Sequence, residues 1–424
     1  MNSISLGAYV GCAGLSIASL FPAFFTLIKG GRAFLPFFIY GVSVWVFLIV
    51  GVLAYNKRLG VYHPFTSEYF LLLIFSIFPL YIGGILACGS KSGKSMHYSE
   101  AHKSLSLSYF VPFGLGLAIF LGVMDYVSKY GLPPLWKLLY AGQGLSGLSG
   151  NEIYSLRKEA TYTDYFSDSS FFFFSLPFVL FICSYYLYLK KEISSFVFSL
   201  ISFFVFVVGS AFMHKAALAV FFLSAIFVYI YVFGFKAGRV FGIFMGLMCF
   251  LFLGFFLYYQ EEGAYYLFDL IIYRIVGSYS FNTQFALDLF SAPDEFLWGW
   301  SMINPMGVGG GGGNLPGLIM ERVYGIEDGN ASLSTFGHWY ANFGWLGVAL
   351  CTFFVTIWLC FLVFSHKFLK MHLLTLVVWL YFAISVLDFS RMEFFAAIGV
   401  KDLFFAMLAV CVFYFLRDIL VYKK

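Results

Sequence analysis

Long apolar runs separated by short polar links set the frame of this chain. A membrane-crossing helix needs about 20 mostly apolar residues. Eleven segments meet or approach that length: about 5–28, 33–55, 69–88, 106–127, 170–189, 193–212, 216–234, 240–259, 343–364, 371–388 and 402–416. The pattern predicts an all-α polytopic membrane protein with about 11 (10–12) transmembrane helices, forming one integral membrane domain over residues 1–424. Pro22, Pro36, Pro79, Pro112 and Pro177 lie in or near the ends of these runs. Membrane helices tolerate proline because neighbouring groups re-satisfy the backbone it leaves open.

Short loops with Lys and Arg tend to stay on the cytoplasmic side. The odd-numbered loops and the C-terminus carry 14 such residues, among them Lys29, Arg32, Lys190, Lys191 and Lys367. The short even-numbered loops carry 5: Lys57, Arg58, Lys215, Arg391 and Lys401. Odd loops are therefore expected in the cytoplasm, and two long even-numbered connections, 128–169 and 260–342, on the outer face. The same face receives Lys215, in the tight Phe212–Ala216 link, and the Asp388–Arg391 turn.

Both outer loops have readable parts. In the first, Pro133 and Pro134 break the chain, and Leu135 to Tyr140 can form a short interfacial helix. In the second, Leu267, Ile271, Ile272 and Ile275 recur at helical spacing, which predicts an interfacial helix over 264–281 with Arg274 on its polar edge. The glycine run Gly309–Gly313 cannot hold regular structure and reads as a hinge or lid.

Composition sharpens the class. The chain is 61% hydrophobic and 11% charged, against about 25% charged in soluble domains. Polar chemistry is concentrated, since nine of the 21 acidic residues fall within 260–343. Seven cysteines lie almost wholly inside apolar runs with no CxxC or Cys/His grouping, so they read as small core hydrophobes. No metal-ligand spacing or nucleotide phosphate loop appears, no cofactor is expected, and no basic stripe suggests nucleic acid.

Outer-face cations beyond those near helix ends are few: Arg157, Lys158, Lys215, Arg274, Arg322 and Arg391. A guanidinium presents a charged fork to phosphate oxygens, so a subset can converge on a pyrophosphate. Pairing with local carboxylates, Arg157 with Glu159 or Arg322 with Glu321 and Asp328, accounts for them equally well. His338 has a side chain suited to accept a hydroxyl proton, with Glu321, Glu327 and Asp328 as competing bases.

Three stretches resemble the Wzy-type polymerases of bacterial O-antigen, common antigen and capsule, integral membrane glycosyltransferases related to the O-antigen ligases. Val207–Phe222 (VVGSAFMHKAALAVFF) resembles the family's apolar-Gly-Ser-x-basic segment, with Lys215 at the basic position. IIYRIVGSY resembles its loop-arginine segment at Arg274, and STFGHWYANFGWLG its approach to the following helix. His338 departs from the ligase pattern, being followed by Trp339 and lying six residues before Gly344.

The resemblance implies a GT-C-like glycosyltransferase architecture with two long periplasmic loops in the bacterial inner membrane. It further implies a polymerase joining undecaprenyl-pyrophosphate-linked repeat units, a chain-length regulator and flippase as partners alongside membrane lipid, and no cofactor. Arg274, Lys215, Arg157, Arg322 and Arg391 would bind pyrophosphate, and His338 would serve as base. A ligase with the same fold, and a glycan flippase or transporter, are the competing expectations.

Overall fold

The computed structural model describes residues 6–54, 65–89, 105–140, 171–212, 215–243, 245–246, 249, 272–302, 314–326, 331–368 and 373–390. Among these residues every regular element is helical. Six helical stretches among the described residues are long and apolar enough to cross a membrane: Tyr9–Leu53, Ser67–Gly89, Val111–Tyr130, Phe172–Leu189, Thr335–Phe368 and Leu373–Ser390. Ser195–Gly209 and Phe221–Phe233 are shorter apolar helices. This is the architecture of a multi-pass membrane protein.

The 45-residue stretch Tyr9–Leu53 is a hairpin. Helix α1 (Leu6–Gly30) ends where Gly31 takes a left-handed φ of 71°, and a 3-10 turn, Gly31–Phe34, leads into α2 (Leu35–Val44). A π turn and a 3-10 turn carry α2 on to Leu53. The pairing is antiparallel: Cys12 Sγ reaches the Ile49 carbonyl, Trp45 Nε1 donates to Ser16 Oγ at 3.1 Å, and the Phe24 and Phe38 rings lie 5.0 Å apart. The segments predicted at 5–28 and 33–55 are thus both present.

The described residues divide into two compact units. The first holds those of 1–96, 255–369 and 382–403, and the second those of 97–254, 370–381 and 404–424. In the first, α3 (Ser67–Gly89) packs along α1. Lipid offers no hydrophobic gain for bringing two helices together, so packing and hydrogen bonds must hold them. Tyr40 Oη donates to the Ser76 carbonyl at 2.6 Å and Tyr69 Oη to the Leu48 carbonyl at 2.8 Å. Ser43 Oγ adds a bond to the Leu387 carbonyl at 2.7 Å. Each such bond contributes about 0.6–2 kcal/mol.

The second unit contains α4 (Leu105–Tyr130), α5 (Pro134–Tyr140), α6 (Leu176–Leu189, entered through a π turn from Phe171), α7 (Ser195–Gly209) and α8 (Lys215–Phe233). Helix α5 is the short helix expected at Leu135–Tyr140. It is fastened to the end of α7 by Leu135 N–H to the Ala211 carbonyl at 3.1 Å and Trp136 Nε1 to the Val207 carbonyl at 3.3 Å. Phenylalanine builds this core: the rings of Tyr126, Phe173 and Phe212 meet edge to face at 4.8–5.4 Å.

The remaining helices of the first unit are α9 (Ser278–Leu289), α10 (Leu315–Tyr324) and α11 (Thr335–Phe368); α12 (Leu373–Ser385) follows. Helix α11 is two helices merged across a kink at Gly344, whose φ of 59° and ψ of −145° are open to glycine alone. The sequence places a spanning helix from 343, and the structure begins one at Trp345, preceded by a separate buried helix, Thr335–Phe343. The spans predicted at 240–259 and 402–416 lie largely or wholly outside the described residues.

Candidate functional site

Helix α9 gathers polar groups that lipid would not accept. Ser280, Asn282, Thr283 and Gln284 are consecutive or nearly so, and all are buried. Each finds a partner on a segment distant in sequence. Ser280 Oγ donates to the Phe47 carbonyl at 2.8 Å. Asn282 Nδ2 donates to the Ser332 carbonyl at 2.7 Å, and its Oδ1 accepts from Tyr324 Oη at 3.0 Å. Thr283 Oγ1 and Ser334 Oγ are 2.8 Å apart, and Ser334 Oγ in turn accepts from Gly337 N–H at 3.1 Å, capping the helix that carries His338. Gln284 bonds both Thr66, ahead of α3, and Asp288 Oδ1 at 2.6 Å. One helix therefore ties together α2, the start of α3, α10 and the approach to α11.

The N-terminal lead of α9 is a π turn, Tyr273–Gly277. It lies hard against the end of α2: a Cβ on Gly51 would strike Ser280 and the Val276 carbonyl, and one on Gly277 would strike Ala54. Tyr273 Oη adds a 2.9 Å bond to Tyr324 Oη. Arg274 belongs to this clamped turn, so its backbone is fixed, although its side chain lies outside the described structure. Single-turn π geometry recurs at functional sites because it re-aims side chains. The predicted interfacial helix at 264–281 is described only from Ile272, and there it continues to Leu289 with Tyr273 and Phe281 buried in protein.

The kink of α11 has its own clamp. Asn342 is fully buried, and its amide is saturated: Oδ1 accepts from Gly299 N–H at 3.0 Å and Ser301 N–H at 3.4 Å, while Nδ2 donates to Ser301 Oγ and the His338 carbonyl. Leu297 and Trp298 N–H groups bond the Ala341 and Asn342 carbonyls at 3.0 Å. The loop 297–301 is thus stitched to the pre-kink helix, holding Trp298 at a φ of 48°. His338 sits at the centre of that helix, 5% exposed, and its Nδ1 has no hydrogen-bond partner. A buried imidazole nitrogen with an open valence can accept a proton or a hydrogen bond from a group brought to it.

Charge collects around this end of the unit. Glu68, Asp288 and Glu295 all lie close enough to Tyr340 to act on its hydroxyl electrostatically. Glu295 accepts from Ala292 N–H at 3.0 Å and from Ser291 Oγ at 3.2 Å. These bonds, the Ala292 amide foremost, hold its carboxyl below the usual range, and Arg322 contributes from farther off. Arg322 is exposed in the last turn of α10 and acts on Glu295, a neighbour that adjacency in sequence does not suggest.

The structure brings Arg322, His338 and the backbone of Arg274 into the first unit. Lys215 starts α8 of the second unit, with its side chain outside the described structure. Arg157 and Arg391 lie outside the described residues, as do Glu327, Asp328 and the glycine run. Hydropathy does not single out the polar run of α9 or Asn342; SFNTQ beside an apolar stretch is the signal the sequence carries. No protein-family model matches the chain, and no curated protein or solved structure is similar to it.

Proposed function

We propose that this protein is a glycosyltransferase of the Wzy type, joining undecaprenyl-pyrophosphate-linked repeat units into polysaccharide at the outer face of a bacterial cytoplasmic membrane. The observation that carries the reading is the buried polar scaffold of α9 and the pre-kink helix. It is an assembly of hydrogen-bonded side chains among membrane-spanning helices, and Arg274, Arg322 and His338 all arise from its edges. Ionisable and polar groups are costly among such helices and tend to mark a substrate path.

The reaction asks for what those residues supply. The acceptor's terminal hydroxyl attacks the anomeric carbon of the donor, the bond from that carbon to the pyrophosphate oxygen breaks, and the hydroxyl proton passes to a base. The leaving group is already activated, so alignment of two lipid-linked substrates and cations for the departing charge do most of the work. On this reading Arg274 and Arg322 supply the cations for the departing charge, and His338 Nδ1 accepts the proton.

Arg274→Ala tests the reading in a strain deleted for the native gene. The expected outcome is normal membrane insertion with long-chain polymer replaced by single capped repeat units. A normal chain-length distribution would remove Arg274 and the assignment with it. Polymer accumulating on undecaprenyl pyrophosphate in the deletion strain would identify a ligase instead.

A further inference from the structure

The far end of α11 carries chemistry that the proposed reaction does not use. The turn Gly31–Phe34, at the tip of the α1–α2 hairpin, packs against α11 near its C-terminus. Arg32, exposed as is Lys29 in the last turn of α1, thereby comes near His366 and Lys367. Arg32 and Lys367 each lie within electrostatic reach of His366. Lys367 Nζ stands 4.8 Å from the centroid of the Phe34 ring, and Phe34 is itself fully buried, so the ammonium is held against the turn. Apolar side chains continue from these cations along the same two helices and face outward: Ile28, Phe361, Phe364 and Phe368, the last 81% exposed.

We propose that this end of the first unit binds the headgroup phosphate of an anionic phospholipid. Arg32 offers a bidentate fork to the phosphate oxygens, Lys29 and Lys367 add point charges, and the acyl chains lie along Ile28, Phe364 and Phe368. Clustered cations at the headgroup level attract anionic lipid, each strengthening the interaction about fivefold. A dissolved anion would meet the same cations but gain nothing from the apolar side chains, and that difference favours a lipid. The site is independent of the glycosyltransferase reading.

The test uses the full-length protein in nanodiscs of mixed phosphatidylglycerol and phosphatidylcholine, with retained lipid read by native mass spectrometry. Wild type should keep phosphatidylglycerol in preference, and that preference should fall with added sodium chloride. Arg32→Gln/Lys367→Gln should lower it about 25-fold, whereas Lys190→Gln/Lys191→Gln, which removes two cations from a turn of the second unit, should leave it unchanged. Equal loss in both double variants would mean diffuse surface attraction and would overturn the site. Equal retention of the two lipids by wild type would overturn it as well, whether or not the variants fold. Loss of the preference on adding 10 mM inorganic phosphate, beyond that produced by sodium chloride of equal ionic strength, would reassign the cluster to a soluble anion.

Discussion

At the residue scale, Asn342 and Glu295 show how local satisfaction translates into measurable behaviour. Asn342→Ala leaves the amides of Gly299 and Ser301 and the Ser301 hydroxyl without the partner each now has. A buried group stripped of its partner costs about 1–3 kcal/mol, so thermal unfolding in detergent should report a loss of at least that size. Unchanged stability would mean that the loop re-pairs elsewhere. Glu295 gives a pH signature. Its folded carboxyl is held below the ordinary value of about 4.3, so its contribution is complete above that value and fades as pH falls through the lower folded one. Hydrogen exchange in the loop 291–302 should accelerate as pH is lowered through that window, after correction for intrinsic exchange rates, and Glu295→Gln should flatten the dependence. The Gln variant retaining the wild-type pH dependence would place the titration on another group.

Among the elements, the kink of α11 separates a membrane span from a short buried helix. Gly344→Ala forces a side chain into backbone space reserved for glycine, at about 1–3 kcal/mol, and its Cβ meets the Phe296 ring. We expect a lower melting temperature and altered Trp298 fluorescence, because Phe296 and Trp298 pack at 6.0 Å. Neither change would imply that the kink relaxes without strain. The spanning portion of α11 was legible because hydropathy rises from Trp345 onward. The helix before it was not, since Thr335–Asn342 mixes polar and apolar residues that are all buried among other protein segments. The polar run of helix α9 is hard to read from sequence for a related reason. The apolar spacing of Leu267, Ile271, Ile272 and Ile275 announces one face, whereas the Ser280–Gln284 run looks exposed until Thr66, Ser332 and Ser334 arrive as partners. Periodicity reports a solvent boundary, and long-range hydrogen bonds are invisible to it. Arg322 is a like case, because its neighbour Glu295 comes from another loop.

Across the whole molecule, the first unit is polarised along α11. Carboxylates and tryptophans surround its beginning, and Arg32, His366 and Lys367 its end. The 24 residues from Trp345 to Phe368 span about 36 Å, enough for a hydrocarbon core of about 30 Å. This separation is the structural counterpart of the loop charge count, which could assign sides but not show which residues meet there. With the native cysteines replaced, Glu321→Cys should react with an impermeant maleimide in cells whose outer membrane is opened, and Lys29→Cys only after the inner membrane is breached. The opposite pattern would invert the topology. The buried polar run of α9 bears finally on how the protein is made. A helix carrying Ser280, Asn282, Thr283 and Gln284 has no reason to leave water for lipid by itself. Two of its partners, Ser332 and Ser334, are synthesised some fifty residues after it. The bonds of Asn282 and Thr283 to these serines can therefore close only after that later segment has been made, whereas those of Ser280 and Gln284 to Phe47 and Thr66 join segments already in place.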